Sequence, residues 1–563
     1  MNRRTLVVLA GGAVVLALAA GVNLLGIAEL PFYTKGEPRE AVVVWEMAHG
    51  GSLVLPMRNG DEVPSKPPMF HWLGLAASWA TGSVSELSTR LPSALLAILL
   101  TLGVYAFAAG TSRIRCGWLA SISLFTSFEW LRAARTARVD MTFTFFFAGA
   151  LLLFAVMDRF GTTRTRRMLF WGALAAATLT KGPIGLVLPL LVVLVYLATS
   201  PAGPAGLPSS RLGRVRDGLR DLGSVTGLPI VLGATVLWYA AAWATAGDAF
   251  FETHALRENV FRVIDADRFG SGHSHGLPYL FGQFFLGAFP WSFSVPAIAW
   301  WLWRGRPLGG GERFFAVWFL VVFAFFLIPD SKRGVYLLPA YPAFALLFGL
   351  VLGPGPEGNT PRRVAAAGWI LGCAVLGVLG LAGLVVASGL PIDGLLLPRL
   401  RPAEAAEVEA ALAGLRAHPW LTAGAGGLVL VASGAAGANA VGAHWLRASV
   451  PLVVALVVTL GGLVGPVERT IARHRSYESF LPAVKERTGD APLAFADGTF
   501  DYGAVFYAGR RIPRDAAARH EAEYLLAFER DGRPPPGGGE ILLRSRGTGV
   551  RGRTPLLLLR PGG

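Results

Sequence analysis

Charge is scarce in this chain. Of its 563 residues only 15% are Asp, Glu, Lys or Arg, whereas 53% are hydrophobic. Soluble domains carry about 25% charged residues, so this composition excludes a soluble globular protein. With mean hydropathy +0.51, it indicates a polytopic membrane protein. Cysteine is nearly missing. Cys116 and Cys373, the only two, fall in a turn and in an apolar run, which excludes a disulfide framework. Internal repeats and low-complexity tracts are lacking. So are a phosphate-loop glycine pattern, an HExxH pair and a Ser/His/Asp arrangement, so no nucleotide-fed or hydrolytic site declares itself. The net charge of +15 is spread over loops between apolar runs. It indicates orientation and contact with membrane lipids, with no nucleic-acid partner.

Lysine is the rarest cation. Among 51 basic residues only Lys35, Lys66, Lys181, Lys332 and Lys485 are lysines. The first four sit in short motifs at the ends of apolar runs: YTKGEPREA, PSKPPMFHW, TKGPIG and DSKRGVYLLPAYP. A compact ammonium is a point-charge partner for phosphate where the wide fork of arginine does not fit.

Apolar runs long enough to cross, or nearly cross, about 30 Å of hydrocarbon fall near 6–28, 89–110, 115–131, 139–157, 168–180, 183–199, 227–247, 277–303, 314–329, 334–353, 365–389, 421–440 and 447–465. They predict about thirteen spans, the first of them uncleaved. Residues 1–465 then form a membrane domain, and 466–563 a small outer α/β domain of alternating short helical and strand-like runs. The arginine-rich short loops TSRIR, DRFGTTRTRR and RGRPLGGGER mark the cytoplasmic face. The outer face receives 29–88, 132–138, the Lys181 turn, 248–276, 330–333 and 390–420. Every chemistry-bearing motif falls on that outer face. So do Arg132, Arg135, Arg138, Arg257, Arg262, Lys332 and Arg333, cations that need a local reason there, an anionic ligand being the simplest.

Residues 37–48 carry apolar side chains at helical spacing (Ala41, Val44, Met47, Ala48), predicting an amphipathic helix on the membrane surface. Glu37 stands at its start, as an N-terminal residue or as a catalytic acid. Asp140 begins an apolar helix just after three arginines. It is either a cap or a base that orients a nucleophile. In FFETHALRENVFRV, the spacing of His254, Arg257, Glu258, Asn259 and Arg262 places them on roughly one helix face. His273 and His275 form a His-x-His pair with no clear third metal ligand.

In this order, these motifs resemble the bacterial GT-C membrane glycosyltransferases of the protein O-mannosyltransferase superfamily, and within it the lipid A aminoarabinose transferases. The opening motif, usually Asp-Glu-x-Arg-Tyr-Ala with Glu-Met soon after, stands here as Gly36, Glu37, Pro38, Arg39, Glu40, Ala41, then Glu46-Met47. Gly36 thus replaces the first acid. Asn59-Gly60, Lys66-Pro67-Pro68, Asp140-Met141, Thr180-Lys181-Gly182, Ser331-Lys332 and Tyr336-Leu337-Leu338-Pro339 match further signatures. Ser65 stands where the aminoarabinose enzymes often carry a glutamate implicated in metal binding.

The resemblance implies an all-α polytopic GT-C fold. It implies inverting transfer of a sugar from an undecaprenyl-phosphate donor to an envelope acceptor, lipid A or another glycan or protein, at the periplasmic surface of the bacterial inner membrane. Lys66, Arg138, Lys181 and Lys332 would bind the donor phosphate. Glu37 or Asp140 would act on the acceptor, and Arg39, Arg257, Glu258, Arg262 and Tyr336 would line the substrate site. No cofactor is required, a divalent cation being the open alternative. Two other readings remain: a polyprenyl-lipid or solute transporter, and an enzyme acting on protein hydroxyls. The spans are nearly charge-free at their centres, with polar groups gathered at one end, which favours surface chemistry over transport.

Overall fold

The structure, a computed structural model, describes residues 3–200, 210–252, 275–304, 310–354, 359–400, 402–529, 539–549 and 554–561. Each of the thirteen apolar runs is helical in whole or in large part. Among the described residues eight helices are long and apolar enough to cross a membrane, or nine if the bent pair Pro278–Gly287 and Trp291–Trp303 is one span. The chain is an integral multi-pass membrane protein.

The opening elements are α1 (Arg3–Leu24), α2 (Glu37–Ala48), α3 (Met69–Thr81), α4 (Glu86–Thr111), α5 (Ile114–Phe125), α6 (Phe128–Ala134), α7 (Val139–Phe160), α8 (Arg164–Lys181) and α9 (Ile184–Thr199). The run expected at 115–131 divides into α5 and α6. Ser85 caps α4 through a reciprocal box with Ser88, which satisfies two of its orphan amides. The α8–α9 hairpin turns at Gly182, whose φ of 82° suits glycine. Elements differ in how deeply they sit. The helix Tyr341–Leu352 is buried all round and packs against α5. By contrast α1 keeps most of its apolar surface outward, as a lipid-facing helix does.

After Trp445 the chain stays helical to His474, nine residues past the expected end of the last run. Beyond it β1 (Leu493–Phe495), β2 (Tyr524–Phe528), β3 (Gly539–Arg544) and β4 (Leu556–Pro561) form one sheet in the order β1-β2-β4-β3. The parallel pair β1/β2 needs a crossover, which the helices Tyr502–Ala508 and Ala516–Glu521 supply. The other two pairings are antiparallel. In β4 the leucines alternate between two clusters. Leu556 and Leu558 join the helices, while Leu557 and Leu559 pack with Ala527 and Ala496. Both faces of the strand are covered, so its sequence is a continuous apolar run.

The sheet domain sits on the segment before α4. Asn59 and Gly60, at φ 53° and 81°, form a tight turn closed by a bridge between Arg58 and Glu62. The Asn59 amide donates to the Ile512 carbonyl at 2.8 Å and accepts from the Ile512 N–H at 2.9 Å. Arg511 pairs with buried Glu46 at 2.6 Å, and Arg514 with Asp61 at 2.9 Å. Tyr507 donates to Glu86 at 2.7 Å and accepts the Phe32 N–H. This docking corrects the expected surface helix. Helix α2 is buried nearly all round, because Val42 enters the core of the sheet domain while Val44 and Met47 pack on Leu75 of α3.

Candidate functional site

The site gathers at the end of the bundle beneath α2. Extended residues Ala137 and Arg138 lead into α7, whose first turn presents Asp140. Helix α8 ends alongside, so that Lys181 Nζ lies 2.7 Å from Asp140 Oδ1. Arg138 Nε reaches Asp140 Oδ2 at 3.3 Å. Lys181 also lies over the rings of Phe143 and Tyr336, 4.9 and 5.2 Å from their centroids. Four sequence-predicted residues, Arg138, Asp140, Lys181 and Tyr336, thus converge from three separated stretches. Arg132 adds a third cation, held by Glu129 at 2.5 Å.

Gly36 belongs to the same cluster. A Cβ there would lie 3.0 Å from Nη1 of Arg138 and 3.1 Å from its guanidinium carbon. The position that departs from the family pattern is therefore the one against which the Arg138 guanidinium packs.

Glu37 is placed differently from the expected catalytic acid. It is completely buried, pairs with Arg90 Nε at 2.7 Å, and accepts the Ala137 N–H and the Thr34 hydroxyl. Arg90 also donates to the carbonyls of Ile27 and Leu30. Glu37 therefore fixes the backbone next to Arg138 and has no open face toward a substrate. Lys332 is also turned inward, 3% exposed, and donates to the Pro329 carbonyl at 2.7 Å. Lys66 is half-buried in the turn before Pro67 and Pro68. Arg39 is tied to Glu40 at 2.7 Å. Arg257, Glu258 and Arg262, with His254 and His273, lie outside the described residues.

Two outward cations have their own explanation. Arg135 donates to the carbonyls of Val22 and Leu25, serving the end of α1, where a cation suits the orphan carbonyls. Arg132 is held by Glu129. Neither needs the anionic ligand that their position seemed to demand.

Sequence reasoning missed a second polar group beside the first. Glu40 pairs with His71 at 2.9 Å, both about 1% exposed. Burial pushes the Glu40 carboxyl up, but Arg39 beside it and the hydrogen bond from His71 more than offset this and hold it well below the usual carboxylate range. Arg58, 3% exposed, pairs with Glu62 at 2.8 Å. The Tyr502 hydroxyl is pushed up to about 12, first by burial and then by its hydrogen bond to Glu62. Arg90 could have been found: it is a charge inside an otherwise apolar span, which marks a partner or a function. Nothing local marked His71.

The residues present do not fit a metal at the Lys66 motif. Ser65 Oγ lies 3.5 Å from the Arg58 guanidinium, whose charge opposes a cation. Among the described residues no group of three His, Cys, Asp or Glu side chains is placed to hold one.

Residues 65–210 match the model of the dolichyl-phosphate-mannose-protein mannosyltransferase family. An uncharacterised protein of Aquifex aeolicus is 31% identical over 311 residues, 54% of this chain and 56% of that one. The undecaprenyl phosphate-alpha-4-amino-4-deoxy-L-arabinose arabinosyl transferase of Pseudomonas aeruginosa strain LESB58 is 28% identical over 327 residues, 56% of this chain and 55% of that one. The chain thus spans a little over half the length of these two relatives. In fold the likeness is nearly complete. ArnT from Cupriavidus metallidurans, bound to undecaprenyl phosphate, superposes with a TM-score of 0.75 over 97% of both chains at 19% identity. Its apo form gives 0.71. The resemblance read from the motifs holds, and the fold is GT-C with a small C-terminal sheet domain.

Proposed function

We propose that this protein is an integral-membrane glycosyltransferase that moves a sugar from undecaprenyl phosphate to an envelope acceptor, such as lipid A, with inversion. The observation that carries this reading is the convergence of Arg138, Lys181 and Asp140 with Tyr336 at one end of the bundle. That end is the one on which the sheet domain docks. By the distribution of arginine in its loops it faces the periplasm of a bacterial inner membrane.

In such a transfer the acceptor oxygen attacks the anomeric carbon. The bond from that carbon to the phosphate oxygen breaks, and the lipid phosphate leaves with the electron pair. One displacement inverts the anomeric centre. Negative charge grows on the departing phosphate, and Lys181 and Arg138 stand as preorganised cations for it. Each such contact is worth about 1.5–3 kcal/mol. Asp140 bridges the two cations and holds them in register. Glu37, through Ala137 and Arg90, positions Arg138 without touching substrate. An acceptor that is itself a phosphate needs no base; for a hydroxyl, the Asp140 carboxylate is the base at hand, taking the hydroxyl proton as the oxygen attacks. The sugar arrives already activated, so the chain needs no nucleotide fold.

The test is transfer by purified full-length protein from a panel of radiolabelled undecaprenyl-phosphate sugars to extracted envelope glycolipids, with Lys181→Ala as control. Labelled acceptor that disappears in the variant is the expected result. Saturable binding of undecaprenyl phosphate with no transfer from any donor would instead favour a lipid transporter.

A further inference from the structure

The opposite end of the bundle holds a second concentration of positive charge. Helix α4 runs from Glu86 to Thr111, about 39 Å at 1.5 Å per residue. Arg115, just beyond it, thus lies a membrane thickness from Arg90 and the site described above. A cavity of about 420 Å³ opens there, its wall including Arg115, Arg362, His444, Trp445 and Arg447. The first turns of three separate helices, α5, Asn359–Ala387 and Trp445–Val458, supply the three arginines. No Asp or Glu stands among the described residues that line it.

Backbone charge points the same way. Three helices begin at this end: α5, Asn359–Ala387 and Trp445–Val458. None has an acidic residue in its first turn. Helix N-termini draw anions through their orphan amides and dipole. Two helix C-termini, at Leu352 and Val441, border the cavity as well. Their partial charges, about −0.5 each, are smaller than the charges of Arg115 and Arg447, which stand there beside the three N-termini.

The turn before Trp445 is held in an unfavourable conformation. Ala443 has φ 55°, a region that a residue with a Cβ rarely adopts. The hydrogen bonds of Ala443 N–H to Ala440 and of His444 N–H to Asn439, 2.9 and 3.0 Å, keep it there. Strain of this kind concentrates at ligand clamps. The wall also has an apolar side, Leu119, Leu352 and Leu446, and Leu446 is 41% exposed on the outer surface of the bundle. A polar head with attached chains matches that division better than a free ion.

We propose that this cavity binds the phosphate headgroup of an anionic phospholipid, with the acyl chains lying on the adjoining apolar helices. Basic pockets between spans hold such headgroups elsewhere. The proposal is independent of the transferase reading, because it concerns the other membrane face.

Native mass spectrometry of the full-length protein with phosphatidylglycerol or cardiolipin tests it. The wild type should retain at least one anionic phospholipid. The variant Arg115→Gln/Arg362→Gln/Arg447→Gln should retain at least fivefold less. The variant Arg211→Gln/Arg216→Gln/Arg220→Gln removes equal charge from the helix Arg211–Asp221 and should retain as much as wild type. Equal retention in all three proteins, or equal loss in both variants, overturns the proposal. Inorganic phosphate that stabilises the wild type against heat as well as the lipid does would assign the cavity to a free ion and also overturn it. Should the triple variant fail to fold, Arg447→Gln alone must lower retention at least twofold.

Discussion

Lys181 and Asp140 meet at 2.7 Å across the ends of α8 and α7, and this contact joins two sequence motifs that lie 41 residues apart. A phosphate entering beside Lys181 would share its ammonium with Asp140 rather than find it unpaired.

Lys181→Ala should therefore lower kcat about 10²–10³-fold, the usual effect of losing one donor to a developing oxyanion, while melting temperature stays near wild type. Single-turnover kinetics with labelled donor measures it. A loss confined to KM would mean that Lys181 binds donor and transition state equally.

Asp140→Asn separates the acceptor classes. With a phosphate acceptor the loss should be about tenfold, from looser Arg138 and Lys181. With a hydroxyl acceptor it should reach 10²–10⁴-fold, the contribution of a general base. Parallel rates on the two acceptor types decide between them.

Gly36→Asp should place a carboxylate against Arg138, given a Cβ 3.0 Å from its guanidinium. The new anion competes with the donor phosphate, so donor KM should rise about tenfold, equivalent to about 1.4 kcal/mol, with kcat changed less. An unchanged KM would show that Arg138 does not touch the donor.

Glu37→Gln leaves Arg90 buried opposite a neutral partner, and breaking such a pair costs about 3–5 kcal/mol. A marked fall in melting temperature is expected. Glu37→Leu combined with Arg90→Met should recover most of it, because no charge is then stranded. If activity stays lost in the folded double variant, positioning of Arg138 through Ala137 is the cause.

Acid should loosen the first outer segment. Glu40 and Glu62 both have carboxyls held below their ordinary value, Glu40 strongly. For both, burial is the largest influence and acts upward, yet the surrounding cations and hydrogen bonds outweigh it. A depressed carboxylate contributes stability that is present above its unfolded value, about 4.3, and is lost as pH falls toward the folded one. Melting temperature should thus decline below about pH 4.5, less steeply in Glu62→Gln. Equal slopes in both proteins would remove Glu62 from the account.

The spans were legible because apolar runs of membrane length leave few alternatives. The Arg138, Asp140, Lys181 and Tyr336 cluster was legible as motifs in order, although spacing alone could not show that Lys181 meets Asp140. What escaped depends on partners far away in the chain. Helix α2 has the period of an amphipathic surface helix, yet Val42 meets the sheet domain hundreds of residues later. Glu37 stood open as a helix-start residue or a catalytic acid because nothing local pairs it with Arg90, 53 residues away. Lys332 looked like a phosphate ligand because nothing local showed its ammonium folding back on Pro329. Asn59-Gly60 stood out as a motif but not as the amide pair with Ile512, for which a turn sequence carries no sign.

That amide pair gives the protein a timetable. Asn59 is synthesised early, and Ile512 emerges 453 residues later. At about 5–20 residues per second, the interval is about 23–90 s. Throughout it, Glu46 and Val42 lack the neighbours from the sheet domain that they have in the finished molecule. The segment over the Asp140 end of the bundle has to wait for the sheet domain. Until Ile512 arrives, the Asn59 turn has no partner for its amide, so the sheet domain is the piece that closes this part of the fold.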